Sequence, residues 1–196
     1  MGESTATSIP KTENEPFNTS SPYSASKGAQ ECICMSYFHS YKLPIIIIRS
    51  SNVYGIQQYP EKLIPKFICH MIDGQKCPIQ GDGSNKRLFL HVLDLCDALE
   101  IVRLKGTIGE SYNISADFSN EYTVMDIAKM IINYFERNVD DHIVFVQDRN
   151  FNDQRYYMSS DKLKALGWNP TRIDFENQLK DIIEWYKINR HRYNLN

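Results

Sequence analysis

The chain has 196 residues, of which 42% are hydrophobic and 23% are charged, and its formal net charge is −2. This length and composition predict a globular protein of about one domain with a substantial core. The low net charge argues against a nucleic-acid platform, because neutralising phosphates requires clustered excess Lys and Arg.

The first half of the chain is predicted to alternate helices and strands after an initial loop. Residues 1–22 form that loop, since Ser, Thr and Pro are frequent there and large apolar residues are rare. A helix over 23–41 leads into the strand IIIIRSSNVYG, whose β-branched run ends at Gly55. The next elements are a helix over 61–73, a short strand around residue 78, the turn-rich segment GDGSN at 81–85, a strand over 87–92 and a helix that ends near residue 104.

The second half continues this alternation. Strands are predicted over 111–115 and 143–146, with a helix between them that Thr123 caps. That helix places Ile127, Ile131 and Phe135 on one face. Alternating strands and helices predict an α/β fold whose sheet is at least partly parallel. The last helix begins near residue 174 and has one apolar face, formed by Phe175, Leu179, Ile182, Ile183 and Tyr186.

The cysteines and the hydropathy pattern indicate a reduced protein of the cytoplasm. The cysteines are odd in number and most lie in apolar stretches, which predicts core thiols rather than a disulfide framework or a metal site. The longest apolar run, PIIII at 44–48, is too short to cross a bilayer, and no basic-then-apolar leader begins the chain. We therefore expect no membrane contact. The cysteines are Cys32, Cys34, Cys69, Cys77 and Cys96.

The segment SPYSASK at 21–27 contains a candidate proton-transfer pair. Tyr23 and Lys27 are four residues apart and so share a helix face. A nearby ammonium favours the phenolate and lowers the pKa of a tyrosine from about 10, which makes a base able to act on a sugar hydroxyl. The alternative is an ordinary helix start, with Ser21 as the cap and Pro22 at the first position.

Several motifs in order extend this pair into a family pattern. SSPYSASK, LPIIIIRSSNVYG, YPEKLIPKF, PIQGDGSNKRLFLHVLD, SYNIS and RNFNDQRYY together resemble the extended short-chain dehydrogenase/reductase family, and within it the NAD-dependent nucleotide-sugar 4,6-dehydratases. The resemblance runs from about residue 20 to the C-terminus. It implies the last part of a Rossmann-like NAD-binding domain over 23–55, and a smaller α/β nucleotide-sugar-binding domain over most of 56–196, with short returns to the Rossmann-like part.

The resemblance also implies roles for single residues. Tyr23 is similar to the base that removes the sugar O4 proton as hydride passes to NAD, and Lys27 to the partner that lowers the tyrosine pKa and bonds the nicotinamide ribose. Both therefore count as catalytic and cofactor-binding candidates. Asn52 matches a substrate-contacting asparagine just after the strand, although a simple turn residue is the alternative.

Eight further positions match the family's contacts to the nucleotide diphosphate. Arg87 and Arg149 are the strongest on physical grounds, because a guanidinium fork meets phosphate oxygens in bidentate fashion. For either one alone, a solvated surface arginine is the alternative. Lys66, Lys86 and Arg155 are closer to that alternative, and Arg155 has Asp153 nearby as a candidate ion-pair partner. The full set is Lys62, Leu63, Pro78, Ile79, Gln80, Arg87, Asn113 and Arg149.

The base of the nucleotide is less clearly indicated. Phe151, Asn152 and Asp153 stand where thymidine-specific bacterial enzymes usually have Gly-His-Asp, and this segment is more similar to the UDP-glucose enzymes of plant and large-virus rhamnose synthesis. RSSNVYG and QYPEKLIPKF also resemble the animal dTDP-glucose 4,6-dehydratases. The pattern favours UDP-glucose and leaves dTDP-glucose open.

Two parts of the family site have no match in the sequence. The nine glycines form no G-x-G-x-x-G or G-x-x-G-x-x-G turn for a dinucleotide. Glu3 does not match the glutamate of the family's Thr-Asp-Glu elimination residues. We therefore expect a truncated dehydratase that is inactive alone and that forms a homodimer through the helix at 23–41. The alternatives are a non-catalytic nucleotide-sugar-binding or dimer-partner protein, and an interaction protein in which the motifs are relics.

Overall fold

The structure is a computed structural model that describes residues 9–149 and 155–193. Within these ranges helices and strands alternate along the chain, as the sequence predicts. The helices are α1 Pro22–Tyr41, α2 Leu63–Ile72, α3 Val92–Lys105, α4 Val124–Tyr134, α5 Val139–His142, α6 Asp161–Lys164 and α7 Phe175–Asn189, with 3-10 turns at Phe118–Asn120 and Arg190–Arg192. The strands are β1 Ile47–Ser50, β2 Asn52–Tyr54, β3 Cys77–Gln80, β4 Lys86–His91, β5 Ser111–Ile114, β6 Glu121–Thr123 and β7 Ile143–Val146.

The described strands form three small sheets. β1 pairs with β5, β2 with β4, and β3 with β7, all in parallel, while β6 joins β4 in antiparallel register. The segment IIIIRSSNVYG is thus two strands rather than one. The chain leaves the first sheet at Ser51, whose N–H still donates to Ile114 O at 2.9 Å before β2 pairs elsewhere.

Strand β4 separates two hydrophobic cores. Its Leu88 and Leu90 face the first core, which includes α3, β5 and Trp168, whereas Phe89 faces the second, which is built from α2, α4, α7 and β3. This division follows from the strand period of two, which sends successive side chains to opposite faces. The predicted apolar face of α7 is confirmed, because all five of its residues are buried. On α4, Ile127 and Ile131 are buried and Phe135 is only partly so.

A buried carboxylate fixes the segment after α6 to α3. Asp94 is 1% exposed, and its carboxylate accepts hydrogen bonds from the N–H and hydroxyl of Thr171 and from the N–H and guanidinium of Arg172. Its backbone carbonyl accepts from Trp168 Nε1 at 3.1 Å. A charge this deeply buried is tolerated because its oxygens are fully hydrogen-bonded and paired with a cation.

Helix α1 is the least packed of the long helices. Gly28 is its one buried residue, lying against Phe17 and Thr19. A second contact joins Glu31 to Arg49 of β1, and in a third the Phe38 ring covers Gly109, where an added Cβ would come within 2.6 Å of that ring. Most of the remaining helix surface, including Ile33, Tyr37 and Tyr41, is exposed.

The placement of the cysteines corrects the sequence-based expectation. Cys69 and Cys77 are core thiols, and burial raises their pKa to about 11 and about 12. Cys32 and Cys34 on α1 and Cys96 on α3 are exposed, so the expectation of core thiols is wrong for these three. The expectation was based on apolar neighbours in the sequence, but α1 and the outer side of α3 have few packing partners in the described structure. All five thiols are free.

The described residues contain neither a candidate metal cluster nor a candidate membrane-spanning helix. No group of three or more His, Cys, Asp or Glu residues there could hold a metal ion. None of the helices in this part of the chain combines the length and apolarity needed to cross a bilayer.

Candidate functional site

Tyr23 and Lys27 lie in the first turns of α1, which a capping box begins. Ser21 Oγ accepts from the N–H of Ser24 at 3.1 Å, Ser24 Oγ accepts from the N–H of Ser21 at 2.9 Å, and Pro22 occupies the first helical position. Tyr23 is 73% exposed, and the ammonium of Lys27 donates to Gln30 Oε1 at 3.1 Å. The helix start is therefore the ordinary capped one, and it presents both candidate side chains to solvent one turn apart.

An ion pair one helical turn after Lys27 holds α1 against β1. The Arg49 guanidinium donates through Nε and Nη2 to the carboxylate of Glu31, with the shortest bond at 2.7 Å, and through Nη1 to Glu13 O at 3.1 Å. Its face lies over the Phe17 ring, 5.3 Å from the centroid. The side chains of Arg49 and Glu31 are only 10% and 19% exposed. This contact ties the helix and the initial loop to the sheet. Asn52 lies nearby in sequence, exposed at the start of β2.

A second group of predicted residues meets at the ends of β3 and β7. These two strands are parallel and in register from Cys77↔Ile143 to Gln80↔Val146, so the chain leaves both at the same edge. There Gln80 Oε1 accepts a hydrogen bond from Arg149 Nε at 2.9 Å. Two predicted nucleotide contacts from separate motifs are thus in direct contact. Pro78 is partly buried in β3, and the Ile79 side chain is fully buried in the second core, which leaves only its backbone for a ligand.

Arg87 lies near the start of β4, partly buried. Its Nη1 donates to Lys86 O at 2.7 Å, and its guanidinium stacks over the Tyr156 ring, 4.9 Å from the centroid. The neighbouring Arg155 has a different role: it binds Glu121 of β6 through two hydrogen bonds of 2.5 and 2.8 Å and stacks over Tyr157. Arg155 is therefore a structural residue. Phe151, Asn152 and Asp153 lie outside the described residues.

The remaining predicted contacts are less closely grouped. Lys62 is exposed, pairs with Glu61 at 2.8 Å and precedes the first residue of α2, Leu63, which is partly buried against the second core. Asn113 lies in β5, in a different sheet from Arg87 and Gln80. It is fully buried, its Nδ2 donates to Lys11 O at 3.2 Å, and its Oδ1 has no hydrogen-bond partner among the described residues. The structure brings neither residue into contact with the Gln80–Arg149 pair.

Asn120 is a candidate that the sequence analysis missed. It is 3% exposed and immediately precedes β6, two residues before Tyr122, the register partner of Arg87. Among the described residues, the buried side-chain polar atoms without a hydrogen-bond partner are Tyr54 Oη, Asn113 Oδ1 and Ser115 Oγ, and Asn120 is not one of them. Its position near Arg87 is therefore what makes it a candidate. The signal available in the sequence was weak, because an Asn after FS and before a strand is typical of a turn.

Comparison with known proteins identifies what this arrangement is similar to. A family model described as GDP-mannose 4,6 dehydratase matches residues 2–182. The mouse dTDP-D-glucose 4,6-dehydratase is 42% identical over 186 residues, which are 92% of this chain and 52% of that protein. An Arabidopsis thaliana trifunctional enzyme with UDP-glucose 4,6-dehydratase activity is 47% identical over 168 residues, which are 86% of this chain and 25% of that protein.

The solved structures agree with the sequence relatives. The dTDP-glucose 4,6-dehydratase DesIV of Streptomyces venezuelae, with NAD and TYD bound, superposes with a TM-score of 0.92 at 32% identity, over 98% of this chain and 58% of that one. The Bacillus anthracis enzyme in complex with NAD gives 0.88 at 37% identity, over 97% and 60%. These matches confirm the predicted fold class. The chain spans about half the length of the mouse relative and a quarter of the plant one.

Proposed function

Because the chain belongs to the GDP-mannose 4,6-dehydratase family, we propose that it supplies nucleotide-sugar binding in a nucleotide-sugar 4,6-dehydratase. The substrate is UDP-glucose or dTDP-glucose and the product its 4-keto-6-deoxy derivative, on a route to deoxysugars such as rhamnose. The observation that carries the proposal is the Gln80–Arg149 contact of 2.9 Å. Two residues 69 positions apart, both predicted by the family resemblance to contact the nucleotide diphosphate, meet at one edge of the β3–β7 sheet.

The diphosphate is held by charge and geometry. Arg149 is exposed three residues after the end of β7, and Arg87 is partly buried near the start of β4 with its plane over the Tyr156 ring. A guanidinium binds phosphate oxygens through a planar pair of N–H donors, which suits a diphosphate better than a single ammonium does. Lys62 and the buried Asn120 amide are further donors for the same ligand, while Leu63 and Pro78 offer apolar surface to its base.

Tyr23 and Lys27 carry the chemistry assigned to this chain. Both are exposed on one face of α1, where they fit the nicotinamide ribose and the sugar O4 hydroxyl. NAD, if held at this face, would supply the hydride acceptor for oxidation at C4. Tyr23 removes the O4 proton, Lys27 stabilises the phenolate by its charge, and Asn52 contacts the sugar. The sequence has no glycine-rich turn for the NAD diphosphate, so the fit extends only to the nicotinamide end.

UDP-glucose is the favoured substrate. The support is the similarity to the plant enzymes at 45–47% identity, against 42% for the mammalian dTDP-D-glucose enzymes. Both nucleotides share the diphosphate, so either tests the binding site itself.

Titration calorimetry of the 196-residue chain with UDP tests the proposal. We expect a dissociation constant of roughly 0.1–1 mM. Arg87→Ala should weaken binding about tenfold or more, because one charge-assisted fork contributes about 1.5–3 kcal/mol. Arg103→Ala is the matched control, since Arg103 is an exposed arginine paired with Glu100 on α3. Equal binding by the wild type and Arg87→Ala would remove Arg87 from the site.

A homodimer through α1 is the second part of the proposal. Ile33, Tyr37 and Tyr41 recur at every fourth residue and are 57%, 49% and 72% exposed. Such a stripe on a helix that buries only Gly28 within its own chain is more apolar surface than a solvated helix needs. A second copy of α1 is the partner that this stripe fits.

A further inference from the structure

Gln80 has a structural partner that its predicted role does not explain. The resemblance makes it a direct nucleotide contact, yet among the described residues its side chain bonds only to Arg149. We propose that Gln80 is a positioning residue that aims the Arg149 guanidinium at the diphosphate, and that it acts through Arg149 rather than by touching the substrate. This inference rests on the nucleotide-binding function proposed above.

The hydrogen bond to Gln80 uses the Nε–H donor of Arg149 and leaves the Nη donors of the guanidinium available. An arginine has five N–H donors in a rigid plane, and Nε carries one of them. With Nε bonded to Gln80 at 2.9 Å, the plane of the guanidinium is fixed, and the end of the fork, where the two Nη groups lie side by side, is left available. No described residue accepts a hydrogen bond from either Nη group, and the side chain is exposed. The free edge of the fork is therefore the phosphate-binding edge.

The backbone of Arg149 is held as well. Asp148 Oδ1 accepts from the Arg149 N–H at 2.8 Å, and Asp148 packs on Gly81, which has a φ of +60°. A Cβ at Gly81 would come within 3.0 Å of Asp148 Oδ2, so a glycine is what allows this approach. The N–H of Gly81 in turn donates to Val146 O at 3.1 Å. Arg149 is thus restrained at its backbone and at Nε before any ligand arrives, which lowers the entropy lost on binding.

A neutral amide is suited to this role. Its carbonyl oxygen accepts the Nε–H bond without cancelling the charge of the guanidinium. A carboxylate in the same place would keep the hydrogen bond but would neutralise the cation and repel phosphate. Gln80→Glu should therefore weaken UDP binding, even though it preserves the contact between the two side chains.

A double-mutant cycle measured with UDP separates positioning from direct contact. Gln80→Leu should raise the dissociation constant of the 196-residue chain about threefold to tenfold. In an Arg149→Ala background the same change should have no further effect, because the residue through which Gln80 acts is gone. Additive effects of the two substitutions would show that Gln80 touches the nucleotide itself and would overturn the inference. So would a Gln80→Leu variant that binds UDP as the wild type does.

A measurement without UDP tests the positioning role of Gln80 separately from the proposed nucleotide-binding function. The Nε–H proton resonance of Arg149, assigned by its loss in Arg149→Lys, should be protected from exchange in the wild type and exposed in Gln80→Leu. Gln75→Leu, at an exposed glutamine on the turn before β3, is the control and should leave the signal unchanged. A signal that Gln80→Leu does not alter refutes positioning. A wild-type chain that binds no UDP refutes the proposed function, whatever the resonance shows.

Discussion

The attachment of α1 to the sheet rests largely on one ion pair, so removing Glu31 should loosen the helix that carries Tyr23. In Glu31→Ala the Arg49 guanidinium keeps its bond to Glu13 O but loses three hydrogen bonds and its counter-charge, while its side chain is only 10% exposed. Breaking a fully buried pair costs about 3–5 kcal/mol. Because Glu31 retains some solvent access at 19%, we expect a decrease of about 2–3 kcal/mol in the free energy of unfolding.

Urea unfolding followed by tryptophan fluorescence measures this loss. Trp168 is 1% exposed in the first core and Trp185 packs against the second, so the two report on both. Glu100→Ala is the control, because it removes an exposed partner of Arg103 and should leave the free energy of unfolding nearly unchanged. If Glu31→Ala and Glu100→Ala lower stability equally, α1 does not depend on this pair and the argument is wrong.

Three further outcomes are expected. The isolated chain, given NAD and UDP-glucose or dTDP-glucose, should form no 4-keto-6-deoxy product, because its sequence lacks the glycine-rich turn and the elimination residues. The product is measured by the absorbance that it develops after base is added, and a signal above the no-enzyme control would contradict this prediction. Ile33→Glu should shift the sedimentation coefficient of a dimeric preparation towards that of the monomer. His39→Glu, at an exposed position about 120° around the helix axis from Ile33, should not. Phe38 is unsuitable for this test because it packs on Gly109. Burial, with a contribution from Arg172, lowers the pKa of His91. Below about pH 6.5 the histidine is therefore protonated in the unfolded chain more readily than in the native chain. The free energy of unfolding should consequently fall as the pH falls from about 7.5 to about 5.5. His91→Asn, which retains a helix-cap acceptor, should reduce that loss in urea titrations, and an unchanged loss would refute the assignment to His91.

The sequence predicted those elements whose signals are local. Thr123 caps α4 as expected, with its Oγ1 accepting from the N–H of Asp126 at 2.9 Å, and β7 has the predicted bounds. The division of IIIIRSSNVYG into two strands was missed, because the segment was interpreted as one β-branched run that ends at Gly55. Only the pairing of β1 with β5 and of β2 with β4 decides where the break falls. Strand β6 was missed for the same reason, since three residues carry too little pattern and the strand exists through its pairing with β4.

The site was predictable as a list of residues and not as an arrangement. Gln80 and Arg149 were each identified by motif, but the hydrogen bond between them depends on the parallel register of β3 and β7, which no local pattern specifies. Asn113 shows the converse, because its motif indicated a ligand contact while its amide bonds to the initial loop. Its role in nucleotide binding remains a prediction.

Binding and chemistry are supported by different contacts in this chain. The Arg149 guanidinium is set by strands β3 and β7 of the second core, whereas Tyr23 stands on a helix held by the Glu31–Arg49 pair at the edge of the first. A substitution in one support should therefore leave the other intact: Gln80→Leu should weaken UDP binding at unchanged stability, and Glu31→Ala should lower stability at nearly unchanged UDP affinity. Sites this far apart in their contacts are expected to act independently. A loss of UDP affinity in Glu31→Ala, measured where that variant is fully folded, would show instead that the two cores are coupled through β4.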